Sequence, residues 1–339
     1  MTYIYLVEEA FFSGHLNGAR IPVFLHMLRS LRDGTRVIVM QQGERQVLEC
    51  DTDAASMDAA FNACRLVPDI GATKYDLAVF QKGRPPSAVS GMEVREKALM
   101  LNDPRARQAA NQFHELLSGR FGLDTYRLSA PLRYVRGLRQ DKADMARFDV
   151  VYVQSQTEAQ FLRRHARETG ARVEIFKNSA VTLELFPEIA IQRGDAKRGG
   201  KFLLPVPPGA RREGEYAWFL RHLAKLPDLA ADTTVLSGAA FARHIPAGIK
   251  RASDVEDFQQ FLGQFDCVLV PTGHYTGLNN RVFQAACAGC RLIASPQALE
   301  GLMPDHPALA TAPRNFAGFA AAMKAFPQGS VAPEAVLAG

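Results

Sequence analysis

Residues 275–295 read YTGLNNRVFQAACAGCRLIAS, and two different chemistries can be read from them. Cys287 and Cys290 form a C-x-x-C pair, a spacing that serves dithiol exchange or metal ligation. Gly277, Leu278, Asn279 and Asn280 lead into a helix, whose first backbone N–H groups suit a phosphate. A redox pair of this kind sits at the start of a helix, where the positive dipole end stabilises the thiolate. Here the order is reversed. Asn279 or Asn280 is the expected N-cap, Gly289 the expected residue after the C-cap, and both cysteines fall at the C-terminal end. A zinc site needs two more ligands; only His274 is near in sequence, and no second C-x-x-C exists. Small Cys287 is therefore expected to pack the helix against a sheet. The loop before the helix, with Gly273 and Gly277, follows a strand end, where open α/β sheets bind ligands. The same glycines would equally serve a plain strand-to-helix connection.

The elements that position these residues alternate along the chain. YIYLVEE reads as a strand, GARIPVFLHMLRSLRDG as a helix ending at Gly34, TRVIVM and QVLEC as strands around a polar turn. YDLAVF, KALMLND (stopped by Pro104), FDVVYVQS and ARVEIFKNS continue the strands, with TEAQFLRRHARETG as a helix between the last two. Residues 191–200 are polar, charged and glycine-containing, and form the expected linker. The alternation then restarts. KFLLPVP, TTVLSG, DCVLVP and CRLIAS are strands; EYAWFLRHLAKL, DVEDFQQFLGQF, NNRVFQAACAG and NFAGFAAAMKAF are helices. Apolar strands alternating with amphipathic helices indicate parallel sheets covered on both faces. The expectation is an N-terminal domain over 1–190 and a C-terminal one over 201–339, the last helix free to pack back on the first.

Length and composition agree with this. The chain has 339 residues, 47% hydrophobic and 22% charged, enough for two ordinary cores. The start meets Glu8 and Glu9 too early for a signal peptide, and no run approaches ~20 apolar residues. Five cysteines at irregular spacing point to reduced thiols and a cytoplasmic protein, with membrane-surface association left open. A net charge of +5 suits an anionic ligand and leaves nucleic acid open without demanding it. Arg133, Arg136 and Arg139 recur at helical spacing in APLRYVRGLRQDK, so the 131–142 segment could touch anionic lipid or glycan, or form a solvated helix face.

The stretch GLNNRVFQAACAGCRLIASPQALEG resembles the donor-site signature of GT-B glycosyltransferases, especially the family-4 "group 1" enzymes and the group typified by spore-maturation proteins. ARVEIFKNSAVTLELFPE resembles the segment that ends their N-terminal domain, FDVVYVQSQTEAQFL the strand and helix before it, and SGHLNGARIPVFLHMLRSL their first loop and helix. The resemblance implies two Rossmann-like doubly wound domains facing a central cleft, a nucleoside-diphosphate sugar as donor, and a hydroxyl acceptor such as a glycan, free, anionic or lipid-linked, with nucleic acid or protein as acceptor left open. It implies retaining transfer with no metal and no cofactor beyond the donor. Thr276, Gly277, Leu278, Asn279, Asn280, Arg281 and Gln284 would then line the donor site, with Gly14 and Gly18 letting backbone approach from the other domain. Arg211 and Arg212, just beyond KFLLPVP, would neutralise the leaving diphosphate, or else form a solvated charge pair in a turn; the family's later lysine has no counterpart. Asn102 or Asp103 could orient the acceptor or form a polar turn before Pro104, and His15 could bind sugar or acceptor or be an ordinary surface histidine. The family's pair of glutamates is absent: Gln284 stands for the second, able to hydrogen-bond a ribose without charge assistance.

Two alternatives follow from the residues. Asp51-Thr52-Asp53 has the D-x-D form of a metal-dependent GT-A transferase. The departures at Thr276 and Gln284 would also fit a degenerate GT-B-like binding or scaffold protein.

Overall fold

The structure is a computed structural model. It describes residues 1–13, 20–41, 43–54, 57–69, 71, 74–81, 84, 86–101, 104–117, 128–176, 185, 200–206, 210–253, 255, 258–272, 280–288, 290–296, 298–299, 310–311, 313 and 315–326. Two compact units divide the chain: Met1–Arg107 with Leu132–Glu188, and Gln108–Pro131 with Ile189–Gly339.

The first unit holds an eight-stranded sheet. Its strands are β1 (Thr2–Leu6), β2 (Arg36–Gln41), β3 (Glu44–Glu49), β4 (Arg65–Pro68), β5 (Lys74–Gln81), β6 (Glu93–Met100), β7 (Val150–Val153) and β8 (Arg172–Ile175). They lie in the order β4-β3-β2-β1-β5-β6-β7-β8. All neighbours from β2 to β8 are parallel. The continuous apolar runs explain this: Ile4, Val37, Ile38, Val39, Ala78, Val79 and Phe80 are fully buried, as strands covered on both faces must be. At one edge β2, β3 and β4 pair antiparallel, and the short β2–β3 connection includes Gly43, whose φ of 86° suits glycine.

Helix α1 (Ile21–Arg32) ends as its sequence requires. Gly34 adopts φ 75°, its N–H reaches the carbonyl of Leu31, and Thr35 N–H reaches that of Ser30, which together satisfy two orphan carbonyls. The unit's further helices are α2 (Met57–Asn62), the start of α3 (Arg105–Leu117), α4 (Ala130–Met145) from Leu132 onward, and α5 (Gln156–Ala166). Helix α5 starts on a capping box: Ser155 Oγ accepts from Glu158 N at 3.2 Å, and the Glu158 carboxylate turns back to accept from Gln154 N at 3.1 Å.

One expectation is corrected here. Cys50 and Cys64 form a disulfide, so the chain does not hold five reduced thiols. Register explains it: β3 and β4 pair Glu49 opposite Arg65, which makes Cys50 and Cys64 the next cross-strand neighbours, their Cα atoms 4.3 Å apart.

The second unit holds a six-stranded parallel sheet: β9 (Gly200–Pro205), β10 (Thr233–Leu236), β11 (Lys250–Ala252), β12 (Phe265–Val270), β13 (Arg291–Ala294) and β14 (Ala310–Thr311). Their order is β11-β10-β9-β12-β13-β14. Counting from β9 as the first, this is 3-2-1-4-5-6, the Rossmann order. Helices α6 (Ala210–Leu223), α7 (Pro227–Ala231) and α10 (Phe316–Lys324) lie with one core, where Phe202, Phe219, Phe319 and Met323 meet. Helices α8 (Phe258–Leu262) and α9 (Asn280–Cys287) lie with another, built on Leu203, Leu262, Val268, Val282 and Ala285. Among the described residues no helix is long and apolar enough to cross a membrane.

Candidate functional site

In the second sheet the strand order reverses between β9 and β12. The helices that follow these two strands, α6 and α9, lie with different cores, and such a reversal point is the place where these sheets take ligands. The two segments leaving those ends run into α6 at Ala210 and into α9 at Asn280. Both are the segments in which sequence placed donor-binding residues.

Residues of the expected site distribute as follows. Arg281 and Gln284 are described: each is half-buried, and at three residues apart they share one side of α9. Val282 and Ala285, each one position further along the helix, are fully buried in the core, which fixes the helix's rotation. Asn280 is the first residue of α9, its side chain outside the described residues. Thr276, Gly277, Leu278 and Asn279 lie outside the described residues, as do Gly14, His15, Gly18, Asn102 and Asp103. Arg211 and Arg212 are corrected in one respect. They do not sit in a turn: α6 begins at Ala210, so both belong to its first turn, with side chains outside the described residues. Cations at a helix N-terminus face an unfavourable dipole, which a bound anion would offset.

Sequence reading missed a buried polar rail beneath this edge. Glu215, in the second turn of α6, is 1% exposed, and Thr272, two residues past β12, is 0% exposed. The Thr272 hydroxyl donates to Glu215 Oε2 at 2.6 Å. The backbone carbonyl of Thr272 accepts from Ser295 Oγ, just past β13, and Ser295 Oγ accepts from Ala298 N at 3.3 Å. Ser295 N in turn donates to the Val270 carbonyl at 3.0 Å. The ends of β12 and β13 and helix α6 are thereby tied together at the start of segment 273–279. A buried polar group is tolerated only with such partners. The sequence signal was thin: a glutamate in PPGARREGEY reads as a solvated helix residue.

A second network braces the first sheet where its order reverses, between β1 and β5. Glu8 N donates to Gln81 Oε1 at 2.8 Å, and Gln41 Nε2 donates to the Glu8 carbonyl at 3.3 Å. Arg20 pairs with Glu8 at 2.6 Å and donates from Nη1 to the Ser13 carbonyl at 2.7 Å. Ser13 and Arg20 flank residues 14–19, so the two ends of this glycine-containing stretch of sequence are held together.

The cysteines of α9 and its surroundings are accounted for as far as they are described. Cys290 is fully buried, and its thiol donates to the carbonyls of Leu262 and Phe265 at 3.3 and 3.5 Å. Burial pushes the Cys267 thiol well up, away from thiolate chemistry. The side chain of Cys287 is outside the described residues. In the Asp51-Thr52-Asp53 triplet, Asp51 Oδ1 accepts from Asp53 N at 3.0 Å, an Asx turn following β3 at the antiparallel end of the first sheet.

No family model and no curated relative matches this sequence. Solved structures do. Anabaena HepE in complex with UDP and glucose matches with a TM-score of 0.56 at 13% identity, over 96% of this chain and 89% of that one. The fold is GT-B. A UDP-forming trehalose-phosphate synthase from Burkholderia xenovorans matches with a TM-score of 0.54 at 13% identity, over 96% of this chain and 92% of that one. A trehalose 6-phosphate synthase from Burkholderia multivorans matches at 0.51 and 11%, over 99% and 94%. A GT-B fold with two doubly wound units removes the architectural premise of the GT-A alternative.

Proposed function

We propose that this protein is a glycosyltransferase, moving a sugar from a nucleoside-diphosphate sugar to a hydroxyl acceptor. The observation that carries the reading is the Rossmann-ordered second sheet, whose strands on either side of the reversal point are followed by α6 and α9, with residues 273–279 between β12 and α9. The HepE complexes with UDP-glucose and with UDP and glucose support a uridine nucleotide as the first donor to try. Arg211, Arg212 and Arg281 neutralise charge growing on the diphosphate as it leaves, and backbone N–H groups at the start of α9 add to this without a metal. Gln284 hydrogen-bonds the ribose. Gly14 and Gly18 let backbone approach the donor, and Asp103, at the carboxyl end of β6, orients the acceptor. The chemistry is retaining transfer of the family-4 or spore-maturation-protein type, and the acceptor is a glycan hydroxyl, free or lipid-linked.

Gln284, where the family has a glutamate, favours a second reading as a binding protein without turnover. Release of nucleoside diphosphate from UDP-sugars, measured for the wild type and for Arg211→Ala and Arg212→Ala, separates the two. The transferase reading expects turnover in the wild type and a lower kcat in both variants. Nucleotide binding with no turnover on any sugar would establish the binding protein instead.

A further inference from the structure

We propose that the outward face of α4 docks on an anionic membrane surface. Leu132 is 77% exposed and Val135 50% exposed, unusual for residues of a helix that is otherwise well anchored. Arg136 and Arg139 are exposed as well, and among the described residues neither has an ion-pair partner. Positions 132, 135, 136 and 139 lie three and four residues apart, so these four side chains form one stripe.

The opposite face of the helix explains why this stripe is left outward. Gly137 is buried against the backbone of Arg105 and Ala106; a Cβ there would meet Ala106 N at 2.8 Å. Asp141 is fully buried and accepts from Arg105 N at 3.2 Å and Ala106 N at 3.0 Å, capping α3 from another helix. Asp144 binds the Arg105 guanidinium at 2.6 Å. Both carboxylates of α4 are therefore committed inward, and its exposed stripe carries only positive charge. Attachment and charge segregation come from the same contacts.

The combination selects the partner. A polyanion such as nucleic acid would pair with the arginines and give Leu132 and Val135 nothing to bury against. A bilayer interface takes both: aliphatic side chains enter the headgroup–acyl boundary, and guanidinium groups stay at the phosphates. The proposal is independent of the donor reading, since the stripe shares no residue with that site.

Flotation of the full chain with vesicles tests it, using phosphatidylcholine alone or mixed with phosphatidylglycerol. Binding is expected on the mixed vesicles only, and falling with salt. Arg136→Ala with Arg139→Ala should weaken it by about 25-fold, about fivefold for each arginine. Leu132→Ser with Val135→Ser should weaken it by about tenfold at unchanged charge. Unaltered thermal midpoints and nucleotide affinity in both variants confirm that folding and the donor site are intact. Absence of binding to anionic vesicles overturns the proposal. So does wild-type binding by the serine variant, and retention on duplex DNA lost only with the arginines would assign the stripe to a polyanion.

Discussion

The hydroxyl of Thr272 donates to the carboxylate of Glu215 across 2.6 Å, joining the strand end that leads into segment 273–279 to the helix that carries Arg211 and Arg212. Both partners are buried, so the bond acts without competition from water.

Thr272→Val keeps the shape and removes the donor. Leaving a buried acceptor without its donor costs about 1–3 kcal/mol, and the loss should appear as reduced stability in denaturant titration. Nucleotide affinity should fall with it, because the 273–279 segment loses an anchor. Thr272→Ser should restore both. A valine variant as stable as the wild type would mean that Glu215 is held by its other contacts alone.

Gln284 shares a side of α9 with Arg281, and a ribose held there should feel its removal. Gln284→Ala is expected to weaken free nucleoside diphosphate and intact sugar nucleotide by similar factors, about 0.5–1.5 kcal/mol. Gln284→Glu should retain or strengthen binding, since a carboxylate accepts more strongly from hydroxyls. Equal affinities in calorimetry for wild type and alanine would remove Gln284 from the site.

His26 stands in the first unit among Tyr5, Tyr152 and Phe176, with its Nδ1 2.6 Å from the Tyr5 hydroxyl. Burial lowers its pKa from 6.5 to about 4. The unfolded chain therefore binds more protons between these values, and stability present above pH 6.5 is lost as pH falls toward 4. The amount is roughly 3 kcal/mol. Urea unfolding at stepped pH should show this slope in the wild type and a flatter one in His26→Phe. Parallel slopes would place the acid sensitivity elsewhere.

The Cys50–Cys64 bridge joins residues 14 apart, and loop-closure entropy for a span of that size is about 3 kcal/mol. Reduction, or Cys50→Ser with Cys64→Ser, should lower stability by up to that amount. Under denaturing conditions, two more thiols should react after reduction than before it. An unchanged thiol count would contradict the bridge.

Much of the fold was legible in the sequence because its strands are central and apolar. RVIVM and DCVLVP could be little else. The strands that were not read, RLVP in β4, KRA in β11 and AT in β14, are short, and nothing in their own sequence specifies them; pairing does. Helix α3 was missed for a related reason. RARQAANQFHELL has a weak apolar pattern, and its start is capped by Asp141 from a helix some thirty-six residues on. At the site, glycines and asparagines at a strand end announce themselves, whereas Glu215 looked like any charged helix residue. Its burial comes from tertiary packing, which local sequence does not carry.

Whether the edge between β9 and β12 binds a nucleoside diphosphate is decided by calorimetric titration of the full chain with UDP, GDP, ADP, CDP and TDP. One of them should bind saturably at a single site, and Arg281→Ala should weaken that nucleotide by about 1.5–3 kcal/mol, as for a lost hydrogen bond to a charged group. No binding by any nucleotide, or equal binding by wild type and Arg281→Ala, would contradict a donor site at this edge.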